Sequence, residues 1–273
     1  MNSSNDYRND IASNGHNMNS KPRVTVIFAT KNEENTIQDS IATANRSYYE
    51  PTVIVVDAYS TDKTSELARN SGAVVIQQSK QVFPGKGLAM KEALKEAISK
   101  SVVSTADDNG DGIIVFLDAD IQNLTSEWVD KLVSAIINDS CDMSRGFYTR
   151  HTRDAAVTKL IARPMLHVFF PELAHFEQPL SGEVCSRTRV WEKLIEKDDI
   201  PEGWGIDVWF LIEAAMSGYN IKEVFLGEKK HTSFEDYKDD VSKLSKMAEQ
   251  VEFTIIREAK EYGRLEWQDK VVV

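Results

Sequence analysis

The chain has 273 residues, a formal net charge of −11, 41% hydrophobic and 27% charged residues, a composition that suits one large α/β domain with appendages around a sizeable core. No Lys/Arg run tracks a phosphate backbone, so nucleic acid is excluded as a partner. The acidic field also opposes a dianionic nucleotide, which would need clustered cations or a metal to bind.

Residues 1–21 are rich in Asn and Ser and lack the apolar stretch and cleavage pattern of a secretory signal, so they read as a disordered tail. No window of about 18 apolar residues occurs, so no membrane span is expected and the location reads as cytoplasmic. Val24-Thr25-Val26-Ile27-Phe28-Ala29 is a β-branched run, followed by polar Thr30 to Asn35 and a helical pattern through Ile37, Ile41 and Ala44. The unit recurs: strand Val53–Val56 with helix Ser65–Asn70, strand Ala73–Ile76 with helix Gly87–Lys100, and strand Ile113–Leu117 with helix Ser126–Asn138. Apolar strands alternating with amphipathic helices predict an α/β fold with a mainly parallel sheet covered on both faces.

Ser104–Asp111 reads as a polar turn; it lacks the closing Glu of a calcium loop. Beyond residue 150 the pattern is less regular, with a helix through Ala155–Phe170, a turn-rich stretch Pro179–Glu183 and a helix near Asp207–Ser217. From Phe234 to Tyr262 apolar residues recur at spacings of three and four, which predicts one long amphipathic helix. That helix either packs on its own sheet or forms a dimer seam. Cys141 and Cys185 have no CxxC or His-rich neighbourhood and read as buried free thiols.

The sharpest chemical feature is Asp118-Ala119-Asp120, directly after the strand Ile113–Leu117. In open α/β sheets ligands sit outside the carboxyl ends of the strands, so both carboxylates would face that crevice. There they suit a hard divalent ion, Mg²⁺ or Mn²⁺, that shares oxygens with a diphosphate, although such a pair can also cap a helix. Other strand ends carry Ala29-Thr30-Lys31-Asn32-Glu33-Glu34, then Asp57 with Ser60 and Thr61, then Pro84-Gly85-Lys86-Gly87. Thr61 and Asp62 read better as helix caps. Gly85 and Gly87 permit close backbone approach and Lys86 supplies a point charge for a phosphate, without the spacing of a P-loop.

Asn-Glu-Glu-Asn-Thr-Ile, Asp-Ala-Tyr-Ser-Thr-Asp-Lys-Thr, Pro-Gly-Lys-Gly and Asp-Ala-Asp, in this order, resemble the GT-A fold glycosyltransferases of the family 2 type. Val157–Leu166, Phe170–Leu173, Gln178–Glu183 and Gly203–Asp207 narrow the resemblance to the glucosyl-3-phosphoglycerate synthase family, over roughly residues 22 to 235. The resemblance implies a hexosyltransferase that moves a sugar, glucose favoured, from a nucleotide-diphosphate donor to a small acceptor such as 3-phosphoglycerate. It implies that Asp120 and His231 hold the metal. Thr30, Glu33, Asp57, Lys86, Asp118 and Ala119 would contact the nucleotide sugar, and Asp207 and Glu183, with Lys86, would serve the reacting centre. Thr158, Lys229 and Ser233 fall on the acceptor side.

Residues 22–233 are then the GT-A domain, divided into a donor side, 22–150, and an acceptor side, 151–233. Residues 234–273 form a helical extension that suits a homodimer. Retention of anomeric configuration is implied; in an inverting enzyme Asp207 would be the natural base. Ala156 stands where the family has an acceptor-phosphate Arg, Ser233 where it has Asn, and Asp207 where it has Glu. Arg145, Arg150, Arg153 and Lys229 are substitute cations for a phosphate, though each taken singly reads as a solvated surface residue. Two other readings stay open: mannosyl transfer from GDP-mannose, and a sugar-nucleotide pyrophosphorylase. A non-catalytic nucleotide-sugar-binding protein is a third.

Overall fold

The computed structural model describes residues 21–103, 111–149, 155–231 and 241–265. The tail 1–20, most of the polar turn 104–110, Arg150 and Arg153, Ser233 and residues 234–240 of the expected long helix lie outside the described residues. Seven strands form one sheet in the order β3-β2-β1-β4-β6-β5-β7. In chain order the elements are β1 Val24–Thr30, α1 Ile37–Ala44, β2 Thr52–Asp57, α2 Thr64–Asn70, β3 Val74–Gln77, α3 Lys86–Val103, β4 Ile113–Asp118 and α4 Ser126–Asn138. They continue with β5 Met143–Thr149, α5 Arg163–Phe169, β6 Val184–Arg187, α6 Thr188–Ile195, α7 Ile206–Met216, β7 Ile221–Glu228 and α8 Val241–Glu261.

The first four strands are parallel, as the alternation of apolar runs and amphipathic helices predicts. Successive side chains point to opposite faces, so β1 sends Val26 and Phe28 to one core with Ile37, Ile41 and Trp128, and Ile27 to the other with Ala93, Trp191 and Phe210. Each fully buried large apolar side chain stabilises the fold by roughly 1.5–3 kcal/mol, which is why these strands carry so few polar residues. β6 runs antiparallel between β4 and β5, whereas β5 and β7 pair parallel. Both thiols, Cys141 and Cys185, are free and buried.

The segment 155–170, expected as one helix, is helical without interruption from 156 to 169, with a π-helical turn Thr158–Ala162 leading into α5. Pro164 has no N–H to give the preceding turn and its ring crowds the carbonyl four residues back, so the helix widens into a π turn there. α8 uses Val251, Ile255 and Ala259, four residues apart, to pack in a third core with Val208, Leu211 and Ile212 of α7. Its apolar stripe therefore serves its own domain, while Phe253 and Ile256 remain exposed. No helix among the described residues is long and apolar enough to cross a membrane.

Candidate active site

The carboxyl ends of β1 and β4, the start of α3 and the segment after β7 surround one cavity of about 350 Å³. Thr30, Glu33, Lys86, Asp118 and Ala119 line it on the sheet side. Asp120, Thr158, Asp207, Lys229 and His231 complete the polar wall, and Trp204, Leu244 and Met247 add an apolar one. Asp57 and Glu183 are buried close behind these residues and are not on the wall.

The β1 and β2 ends brace each other. Asn32 and Tyr59 have φ of 59° and 61°, a left-handed backbone unusual for side-chain-bearing residues. Reciprocal bonds hold it: the Asn32 N–H donates to Ser60 Oγ at 2.9 Å and the Thr61 N–H to Asn32 Oδ1 at 2.8 Å. Asp57 Oδ1 accepts the Ser60 N–H at 3.1 Å, and Asp62 Oδ1 accepts the Thr64 N–H at 2.9 Å in the first turn of α2. Glu33, on the wall, is anchored through its N–H to Thr64 Oγ1 at 2.7 Å.

A chain of alternating charges crosses the centre. Lys86 Nζ lies 2.8 Å from Asp207 Oδ2 and 3.1 Å from Asp118 Oδ1. Lys229 Nζ lies 2.8 Å from Asp118 Oδ2 and 2.7 Å from Glu183 Oε1. Glu183 Oε2 in turn accepts the Tyr148 hydroxyl at 2.7 Å. Gly182 is required here, because a Cβ at this position would collide with the Asp118 carboxylate.

Burial works against the Lys86 ammonium, yet Asp118 and Asp207 more than offset it and raise its pKa. Burial likewise opposes ionised Asp118, but Lys229 and Lys86 hold it well below the usual carboxylate range. Asp207 goes the other way: burial pushes it up to about 6 against the pull of Lys86, and its Oδ1 is buried without a hydrogen-bond partner among the described residues.

Since both Asp118 oxygens are taken by lysines, Asp120 is the carboxylate left facing His231. Its Oδ2 lies 3.5 Å from His231 Nδ1. Two strands separate β4 from β7, and the gap is bridged by backbone pairing of Ile121 with His231 and by the Gln122 N–H donating to Lys230 O at 2.8 Å. Asn123 completes the zipper, accepting the Lys230 N–H and donating to Glu228 O, both at 2.8 Å. A carboxylate oxygen and an imidazole nitrogen fit a first-row divalent ion or Mg²⁺. Among the described residues no group of three His, Cys, Asp or Glu gathers for a metal, so the remaining ligands would come from a diphosphate or water, the usual arrangement for Mg²⁺.

Two expectations need correction. Lys229 and Arg145, read singly as solvated surface residues, are 4% and 0% exposed; each long side chain is drawn inward by acceptors that no local motif announces. Tyr148, Leu244 and Met247 were not singled out either, because nothing in their neighbourhood distinguishes them from core or helix-face residues.

Sheet ends that present Asp-x-Asp toward a histidine just beyond a later strand, beside lysines suited to a diphosphate, define a glycosyltransferase of the GT-A fold. A family model described as the mannosylglycerate synthase GT domain matches residues 30–248, and the chain belongs to that family. It is 30% identical to glucosyl-3-phosphoglycerate synthase of Petrotoga mobilis over 261 residues, 89% of this chain and 75% of that one. Mannosylglycerate synthase of Rhodothermus marinus is 28% identical over 173 residues, 60% of this chain and 41% of that protein. The crystal structure of glucosyl-3-phosphoglycerate synthase from Mycobacterium tuberculosis with phosphoglyceric acid superposes with a TM-score of 0.71 at 28% identity, covering 88% of this chain and 80% of that chain. Another structure of that enzyme holds Mn²⁺, uridine diphosphate and glucosyl-3-phosphoglycerate.

Proposed function

We propose that this protein moves a glucosyl group from UDP-glucose to a small hydroxy acid, 3-phosphoglycerate or a close relative, with retention of anomeric configuration. The carrying observation is that Asp118, clamped by Lys86 and Lys229, and the Asp120–His231 pair share one cavity. Asp120 and His231 would hold Mg²⁺ or Mn²⁺, and the ion would supply Lewis-acid neutralisation of the departing diphosphate.

Thr30 and Glu33 line the end of the cavity where the nucleoside binds, with Asp57 behind them. Lys86 and Lys229 set two ammonium groups among the carboxylates of Asp118, Asp207 and Glu183, and preplaced cations of this kind, together with the metal ion, stabilise a leaving diphosphate without reorganisation. Asp207 lines the cavity beside Lys86, to which its Oδ2 is paired, and orients the transferred sugar. Glu183 acts through Lys229, which it holds in place. The acceptor enters past Thr158.

Ala156 on the cavity wall favours a second reading of the acceptor, an unphosphorylated hydroxy acid such as glycerate, because a methyl group cannot hold a phosphate. We further assign the protein to the cytoplasm as a homodimer: its two thiols are free and buried, as suits a reducing compartment, and α8 exposes Phe253 and Ile256, three residues apart on one side.

The test is a screen of UDP-glucose and GDP-mannose, each with Mn²⁺, against 3-phosphoglycerate and glycerate, with NMR of the product's anomeric proton. Formation of an α-linked glucosyl product supports the reading. Release of pyrophosphate from a nucleoside triphosphate and a sugar phosphate, or donor binding with no transfer to any acceptor, refutes it.

A further inference from the structure

Arg145 lies on β5 with 0% exposure. Among the described residues its partners are three backbone carbonyls: Nη2 donates to the oxygens of Pro179, Ser181 and Asp207, each at 3.1 Å, and its Nε and Nη1 have no partner. Asp207, Glu223 and Glu183 act on this charge from nearby, yet burial outweighs them; sealing a cation away from water with no carboxylate bonded to it is expensive, and an apolar side chain of similar length would fill the space at less cost. Packing therefore does not account for a guanidinium here.

The three carbonyls belong to two separate pieces of the cavity. Pro179 and Ser181 flank Leu180, which lies on the cavity wall, and the same loop leads to Gly182 against Asp118. Asp207 opens α7 and also lines the cavity. The loop is gripped by its other polarity as well. Glu223, paired with Arg145 across β5 and β7, accepts the N–H groups of Glu177 and Gln178 at 2.9 and 2.8 Å.

We propose that Arg145 is a positioning residue for sugar transfer: one guanidinium fixes the loop Pro179–Ser181 to the first turn of α7, holding Leu180 and Asp207 in register on the cavity wall. The proposal rests on the reading that this cavity transfers a sugar. It concerns geometry, and Arg145 itself touches neither substrate.

The experiment compares full-length wild type with Arg145→Met and Arg145→Lys, measuring kcat, donor KM and amide hydrogen exchange. A displacement of about 1 Å at a reacting centre costs on the order of 100-fold, so Arg145→Met should lose about that much in kcat with donor KM changed less than about threefold. Exchange should accelerate in 178–183 and 206–210 while β1, β2 and β4 keep their protection. Lysine, which can still donate to three carbonyls, should recover about a tenth of wild-type kcat or more. Wild-type kinetics and exchange in Arg145→Met would overturn the proposal, as would protection lost evenly across the sheet. Should Arg145→Met not fold, Arg145→Lys decides by kinetics and exchange together: a lowered kcat with faster exchange confined to the two segments supports the proposal, and a lowered kcat with wild-type exchange sinks it. A wild type that transfers no sugar defeats the functional reading alone, since the exchange data still judge Arg145.

Discussion

Glu183 and Lys229 face each other at 2.7 Å with side chains 0% and 2% exposed. Removing Glu183 leaves Lys229 only Asp118, which it shares with Lys86; a buried charge under-compensated in this way costs up to about 3 kcal/mol, whereas removing both members costs less. Glu183→Leu should therefore lower the urea midpoint more than the double variant Glu183→Leu/Lys229→Met. If the single losses simply add in the double variant, the two residues do not interact.

Asp207 is displaced upward from 3.8 to about 6 by burial. Between those values the folded protein keeps a proton that the unfolded chain has released, so this group's stabilisation is present below pH ~4 and is lost as pH rises through ~6. If the ionised form serves the sugar, kcat falls below pH ~6. Lys86→Met removes the neighbouring cation, moves that acid limb to higher pH and lowers kcat by roughly 100-fold. A pH–rate profile whose limb stays put in Lys86→Met would separate Asp207 from the reaction.

Asp120→Asn and His231→Ala each remove one member of the pair set for a cation. Both variants should melt near the wild-type temperature when free of ligand. Each should lose most of the added stabilisation that wild type gains from Mn²⁺ with UDP, a gain of about 2.7 kcal/mol at a hundredfold excess over Kd. Differential scanning calorimetry reads this directly, and undiminished stabilisation in both variants would assign the ion elsewhere.

Glu258 on α8 is buried, with Oε2 lacking a donor. Burial, then Glu213, pushes it from 4.5 to about 8 against the pull of Arg257. Protonated Glu258 can donate to Glu213; ionised, it faces a second carboxylate. Its contribution to stability is therefore complete below pH ~4.5 and is lost as pH rises through ~8. Glu258→Gln should gain on wild type in melting temperature as pH climbs from 5 to 9. Parallel melting curves across that range would refute the shift.

The first four strand–helix units were readable because β1, β2 and β4 are apolar runs buried on both faces, and β3, half-buried at the sheet edge, is still the apolar run Val74–Ile76. β5, Met-Ser-Arg-Gly-Phe-Tyr-Thr, was not, because a buried Arg and a Gly interrupt its pattern. β6 has only four residues, and β7, an edge strand, is half exposed. Strand-end motifs placed Lys86, Asp118 and Asp120 in one crevice, the family resemblance added Asp207 and His231, and all five line the cavity. That Lys229 pairs with Glu183 across 46 residues, and that Arg145 turns inward, depends on long-range register that local spacing does not encode.

The cavity draws on residues from Ala29 to Met247. During synthesis the donor-side strands emerge and can begin to fold well before α8 is made. A nascent chain therefore holds no finished site until position 247 has cleared the ribosome, so donor sugar is not spent by incomplete polypeptides.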